Sequence, residues 1–260
     1  MNNFFDRALR FSATLRDAAV ATLYPSGCRV CGGVIESWRD GAACAKCWRE
    51  IEQKSLTGDF CAKCWTPLPS GASSRIEAAD RRCGRCDQFA FGFVRACGPY
   101  EGALRETVLR LKLHPHIPAR LRDALRRTFA ALPESHPIES IIPVPLHPDR
   151  RAERGFNQAE VIARELASLS GLRVDLTAVI RVKKTERHRA GMGARERAHS
   201  LEKAFRVRAP RLVEGRVALV VDDVMTTGST AGEIAATLLD GGARAVKILT
   251  LARAMNEYIQ

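Results

Sequence analysis

The stretch Arg216–Glu233, RVALVVDDVMTTGSTAGE, constrains this 260-residue chain more than any other. Its five consecutive apolar residues, Val217 to Val221, are too few for a typical helix and rich in valine, so they predict a strand buried on both faces. Asp222 and Asp223 stand where such a strand would end. Thr226, Thr227, Gly228, Ser229 and Thr230 follow, all small, hydroxylated or glycine. AGEIAATLL then opens a helix, with Ser229 or Thr230 as its N-cap. Such a strand, acidic pair, turn and helix start form a device for a phosphorylated sugar. Exposed backbone N–H groups and the helix dipole hold a phosphate, while carboxylates accept hydrogen bonds from sugar hydroxyls. The plainer alternative is a buried strand whose terminal aspartates only cap a turn.

The segment VALVVDDVMTTGST resembles the phosphoribosyl pyrophosphate (PRPP) signature of type I phosphoribosyltransferases. The resemblance implies that Asp222 and Asp223 hold the ribose 2′- and 3′-hydroxyls and that Thr226, Thr227, Gly228, Ser229 and Thr230 wrap the 5′-phosphate. In those enzymes the acidic pair belongs to the catalytic machinery.

Four CxxC pairs occupy the first third of the chain: Cys28/Cys31, Cys44/Cys47, Cys61/Cys64 and Cys83/Cys86. A CxxC turn sets two sulfurs on one side of a tight loop, and two such turns complete a tetrahedral zinc site. Twelve residues separate Cys31 from Cys44 and eighteen separate Cys64 from Cys83, so two consecutive ribbons are the simplest pairing. Four thiolates leave no open position for water, which makes both zinc sites structural. Sixty residues with few large aliphatic side chains need such staples to fold. The ninth cysteine, Cys97, reads as an ordinary buried thiol in a strand.

The formal charge is +12, and two zinc ions on eight thiolates would lower it by four. The remaining excess suits an anionic partner, a polyphosphate or a nucleic acid. It is concentrated: residues 181 to 211 carry eleven Lys or Arg against three Glu. No run approaches the ~18 apolar residues of a membrane-spanning helix. Asp6, Arg7, Arg10, Arg16 and Asp17 interrupt any signal-peptide core. The expected location is the cytoplasm, where thiols stay reduced and CxxC pairs serve metal or redox chemistry.

Apolar residues at spacings of three or four, Phe4 to Leu23, predict an amphipathic helix that Pro25 ends. Beyond the cysteines, Leu104, Val108 and Leu111 share a helix face, and a second helix covers 118 to 131. Ile141, Ile142 and Val144 form a strand that Pro145 stops, and Phe156 to Leu169 is helical. Further strands are expected at 174–182 and over AVKILTLAR, after Gly241 and Gly242. Alternating strands and helices argue for an α/β fold, a doubly wound parallel sheet with ligands at the carboxyl ends of its strands. Both IIPVP and VALVVDD deliver their loops to that edge.

VPLHPDRRAERGFNQAE strongly resembles a loop and helix of the ComF family, in which a cysteine ribbon precedes a phosphoribosyltransferase-like domain. Tyr100-Glu101-Gly102, Lys112 and Ala204-Phe205 carry the same likeness. His188 and Ser200 stand where that family commonly shows Gln and Asn, whereas Arg197 keeps its place. The implied organisation is an N-terminal helix within 1–26, a double zinc ribbon over 27–88 and a phosphoribosyltransferase-like domain over 89–260.

Phosphoribosyl transfer calls for a held sugar and a neutralised pyrophosphate. Mg²⁺ bound with PRPP suits the second task, and Arg150, Arg151, Arg154 and Arg197 are the expected pyrophosphate-side cations. The cysteine ribbons are candidates for the hood over the acceptor. Of the six histidines only His147 falls beside the predicted pyrophosphate loop. The ComF resemblance also implies a rival reading, a binding protein for single-stranded DNA or the competence machinery, with the ribose site retained as a non-catalytic ligand site. An aromatic content of 6% offers few platforms for base stacking.

Overall fold

The computed structural model describes residues 26–68, 81–133, 137–184 and 203–254. The helix expected before Pro25 and most of the basic stretch, with Arg197, His188 and Ser200, lie outside the described residues.

The strand predicted from Val217–Val221 is the middle of the sheet. Strand β6 (Val217–Met225) pairs in parallel with β7 (Ala245–Arg253) on one side and β2 (Ser140–Pro143) on the other. Outermost are β1 (Val94–Pro99), beside β7, and β3 (Arg173–Val174), beside β2; every pairing is parallel. Val217 to Val221 are all buried, as a strand covered on both faces requires. Alternation then sorts its side chains. Leu219 and Val221 enter one apolar layer with Leu104, Leu121 and Ile162 from helices α2 (Gly102–Leu111), α3 (Ala119–Ala130) and α5 (Gln158–Ser170). Ala218 and Val220 enter the opposite layer with Ile234 and Leu238 of α6 (Ser229–Asp240).

Local chemistry fixes several boundaries. Asn157 caps α5: its Oδ1 accepts from Ala159 N at 3.1 Å, and its Nδ2 donates to Val144 O at 2.9 Å, anchoring the helix start to the end of β2. Gly171, in left-handed conformation, ends that helix.

Three expectations need correction. The single strand at 174–182 is two: β3 closes the main sheet, while β4 (Val179–Arg181) turns away to pair antiparallel with β5 (Phe205–Val207). The stretch after Pro145 is not only loop, since Pro148–Arg154 forms a short helix, α4, with Pro at its permissive first turn. Strand β6 runs past the acidic pair to Met225, and the cap of α6 is Gly228 rather than Ser229 or Thr230, with no side-chain capping hydrogen bond.

The ribbons are built into this core. Helix α1 (Ala45–Thr57) starts at Cys44 and buries Cys47, Trp48 and Ile51 in the layer that holds Leu219. It lies so close to β1 that a Cβ added at Gly98 would fall 2.8 Å from Ser55 Oγ. Cys61, Cys64 and Cys86 join the Val220 layer with Phe91. The two ribbons therefore pack into opposite faces of one sheet, and apolar contacts cross the boundary at 88/89. No helix among the described residues is long and apolar enough to cross a membrane.

Candidate functional site

The eight CxxC cysteines gather in the simplest pairing their spacing allows: Cys28, Cys31, Cys44 and Cys47 in one cluster, Cys61, Cys64, Cys83 and Cys86 in the other, with sulfurs in each within 4.8 Å of one another. Individual separations run from 3.5 Å for Cys64–Cys83 to 3.8 Å for Cys28–Cys47. Tetrahedral Zn–S bonds set sulfurs about 3.8 Å apart, so both donor sets fit zinc and are consistent with a double zinc ribbon. Their electrostatics agree. A hydrogen bond from Cys64 leads the effects that bring the Cys61 thiol down to about 4, while burial and the neighbouring sulfurs push Cys86 up to about 12. One negative charge is welcome and the next is not, until a cation joins them. Cys97 is different: it is buried in β1, and burial pushes its thiol up to about 12, the state of an inert packing residue.

At the carboxyl end of β6, Asp222 and Asp223 are half-buried neighbours on opposite sides of the strand. Asp222 Oδ1 accepts from Asp223 N at 2.8 Å, and Asp223 Oδ1 accepts from Val224 N at 2.7 Å. Burial first, and then the adjacent Asp223 charge, push the Asp222 carboxyl up to about 8. The chain then turns through Thr226 and Thr227 to Gly228, whose φ of 90° belongs to the left-handed region. A side chain there would also meet Met225 Cε at 2.8 Å and Phe89 at 3.1 Å, so glycine is needed twice over. Thr227 Oγ1 accepts from Ser229 N at 3.2 Å and shares a 2.8 Å hydrogen bond with Ser229 Oγ. The turn leads directly into the N-terminus of the twelve-residue α6. A cavity of about 30 Å³ beneath it, touching Asp222, Thr230 and Thr250, holds no more than a water.

The expected cations divide. Arg151 is paired with Glu160, and Arg154 Nη1 donates to Gln158 Oε1 at 3.0 Å. Arg150 lies close enough to Arg181, at the end of β4, to help depress that guanidinium after burial, while Asp222 pulls the opposite way. Arg181 is thus within electrostatic reach of both Arg150 and Asp222. His147 serves as N-cap of α4, its Nδ1 accepting from Asp149 N at 3.3 Å.

Three residues near the edge escaped the sequence reading as site residues. Lys112 Nζ lies 3.6 Å from Asp223 Oδ2. Arg181 arrives through a strand that the sequence merged with its neighbour. Arg253, buried at the end of β7, donates through Nη1 to Met225 O at 3.0 Å and to Thr226 O. Its only sequence signal was position: one charge closing the apolar run AVKILTLAR beside the acidic strand.

A double zinc ribbon domain model matches residues 19–87, and a phosphoribosyl transferase domain model matches residues 152–259. The DNA utilization protein YhgH of Escherichia coli O6:H1 is 40% identical over 132 residues, which cover 51% of this chain and 55% of that protein. The chain thus matches about half the length of that relative. The Salmonella typhi protein of the same name is 34% identical over 224 residues, 82% of this chain and 90% of its own. Competence protein F of Haemophilus influenzae is 31% identical over 241 residues, 87% of this chain and 96% of its own.

Proposed function

The chain belongs to the ComF family, and from that premise we propose that it binds PRPP, or a related phosphorylated ribose, across the β6–α6 edge and transfers the phosphoribosyl group to an acceptor in the cytoplasm. One observation carries the reading: two adjacent carboxylates near the carboxyl end of a central parallel strand are followed by a glycine turn that opens onto a helix N-terminus.

In this reading Asp222 and Asp223, ionised, accept hydrogen bonds from the ribose 2′- and 3′-hydroxyls. The backbone N–H groups of the Thr226–Thr230 turn receive the 5′-phosphate, aided by the dipole of α6. In the same reading Arg150 and Arg181 supply the positive charge that favours the separating pyrophosphate. The bond between the anomeric carbon and pyrophosphate breaks, its electron pair leaving with pyrophosphate, and the acceptor's lone pair forms the new bond to that carbon. Mg²⁺ bound with PRPP would supply further charge neutralisation on the pyrophosphate oxygens.

The test is a thermal-shift titration with PRPP and Mg²⁺. Wild type is expected to be stabilised and the Asp222→Asn/Asp223→Asn variant to be unmoved; no shift in wild type at any concentration overturns the reading. A DNA-handling role is the second reading, favoured by a cleft of about 290 Å³ beside the first ribbon that brings Trp38, Arg29, Arg110, His114 and His116 together. Binding of single-stranded DNA that weakens steeply with salt and with Trp38→Ala would support it.

A further inference from the structure

Arg253 is the last residue of β7 and is only 2% exposed. The backbone around it is already engaged: Arg253 O accepts from Tyr100 N at 2.7 Å, and the next residue's Ala254 N donates to Met225 O at 2.9 Å. The side chain reaches sideways across the sheet's edge. Nη1 meets the carbonyls of Met225 and Thr226, the two residues at which β6 becomes the phosphate loop, and Nη2 donates to Thr66 Oγ1 at 2.5 Å. Thr66 belongs to the second ribbon, where its carbonyl accepts from the backbone N–H of the cysteine ligand Cys61 at 2.7 Å. A continuous path therefore runs from a cysteine ligand through Thr66 and the guanidinium to the loop.

A guanidinium suits this place because its planar fork can serve two carbonyls and a hydroxyl at once, which a lysine ammonium on a flexible stem would do with less fixed geometry. Holding the Met225 and Thr226 carbonyls fixes the backbone where the loop begins. A second strut runs parallel to it. Lys63 Nζ, also in the second ribbon, donates to Phe89 O at 2.8 Å, and the Phe89 ring lies against Gly228 and Gly232.

We propose that Arg253 is a positioning residue for the Thr226–Thr230 loop and that the second cysteine ribbon, through Thr66, holds Arg253 in place. The role of the ribbon is then to pre-form the anion site rather than only to cover it. The tether itself does not depend on which ligand binds; its effect on affinity rests on the phosphoribosyl reading.

The experiment uses the full-length, zinc-loaded chain. Hydrogen–deuterium exchange of the loop amides is compared in wild type, Thr66→Val and Arg253→Lys, with zinc content and Tm followed in parallel. Loop exchange is expected to rise about tenfold in either variant, the scale of one lost charge-assisted hydrogen bond, while amides of β2 and α5 keep their protection. Should Thr66→Val shed zinc, Arg253→Lys gives the same reading with both ribbons loaded. Unchanged loop exchange in Arg253→Lys overturns the tether whatever the ligand does. In a second arm, PRPP affinity is expected to fall about tenfold with the loosened loop, and to fall further in Arg253→Met than in Arg253→Lys. Faster loop exchange in the variants, together with a wild type that binds no PRPP, supports the tether and removes the phosphoribosyl reading instead.

Discussion

Lys112 Nζ stands 3.6 Å from Asp223 Oδ2, so the cap residue of α2 supplies a cation to the acidic pair on β6. Two adjacent carboxylates on one strand repel each other, and a neighbouring ammonium offsets part of that cost. Both groups remain partly exposed, which limits the worth of the pair to the range of surface ion pairs. Lys112→Met is therefore expected to weaken binding of ribose 5-phosphate by about two- to fivefold, more at low salt than at high. Isothermal titration at two ionic strengths checks it. Equal affinity in variant and wild type would remove Lys112 from the site.

Asp222 makes the site pH-dependent in two opposite ways. Its folded-state carboxyl lies near 8, against an ordinary value of 3.8, because burial and Asp223 disfavour the charge. Between about pH 4 and about pH 8 the folded chain thus binds more protons at this group than the unfolded chain, and stability falls as pH rises through that window. Asp222→Asn removes the effect. With solvent screening of a half-buried group, the expected gain is about 1–2 kcal/mol, or about 2–8 °C in Tm, present near pH 9 and absent near pH 4. Ligand binding runs the other way. A ribose hydroxyl needs the ionised acceptor, so wild-type affinity for PRPP is expected to rise from about pH 7 to about pH 9, and Asp222→Asn to lose that dependence. A variant less stable than wild type at pH 9 would contradict this account of the pair.

The cysteine clusters belong to the two apolar layers and not to a detachable module, as Cys47 beside Trp48 and Cys61 beside Phe91 show. Zinc in such sites contributes on the order of 10 kcal/mol, comparable to the whole stability of an ordinary domain. A strong chelator at neutral pH is expected to abolish the cooperative unfolding transition of the entire chain, the sheet included. Near-UV circular dichroism together with metal analysis tests this. Retention of the sheet's transition after loss of both ions would show that the core closes without them.

Much of this was legible in the sequence because the signals were local. Val217–Val221 reads best as a strand buried on both faces, and the CxxC spacings make two consecutive ribbons the simplest pairing, the one the two sulfur clusters show. What was hidden depended on distant partners. The division of 174–182 into β3 and β4 is set by β5, a three-residue strand near the end of the basic stretch, and nothing near Asp175 announces it. Arg253 looked like the charged end of an apolar strand; its meaning comes from Thr66, far away in sequence and in another element. The cap of α6 was misassigned to a hydroxyl because Gly228 supplies the left-handed turn that the close approach of Phe89 and Met225 requires.

That approach yields the last prediction. Gly232 lies inside α6, where alanine is ordinarily better by about 1 kcal/mol. Here a Cβ would stand 2.4 Å from Phe89 Cδ1. The ring cannot easily step aside, because it stacks on Phe91 at 5.4 Å and its own carbonyl is held by Lys63. Gly232→Ala is therefore expected to destabilise the fold by about 1–3 kcal/mol, as overpacking does, and to push the N-terminal turn of α6 away from the phosphate loop. Urea unfolding gives the first quantity and PRPP affinity the second. Phe89→Leu in the same chain should restore part of both, since the shorter side chain leaves room for the added methyl. A Gly232→Ala variant more stable than wild type would show that the ring is free to move and that Lys63 and Phe91 do not fix it.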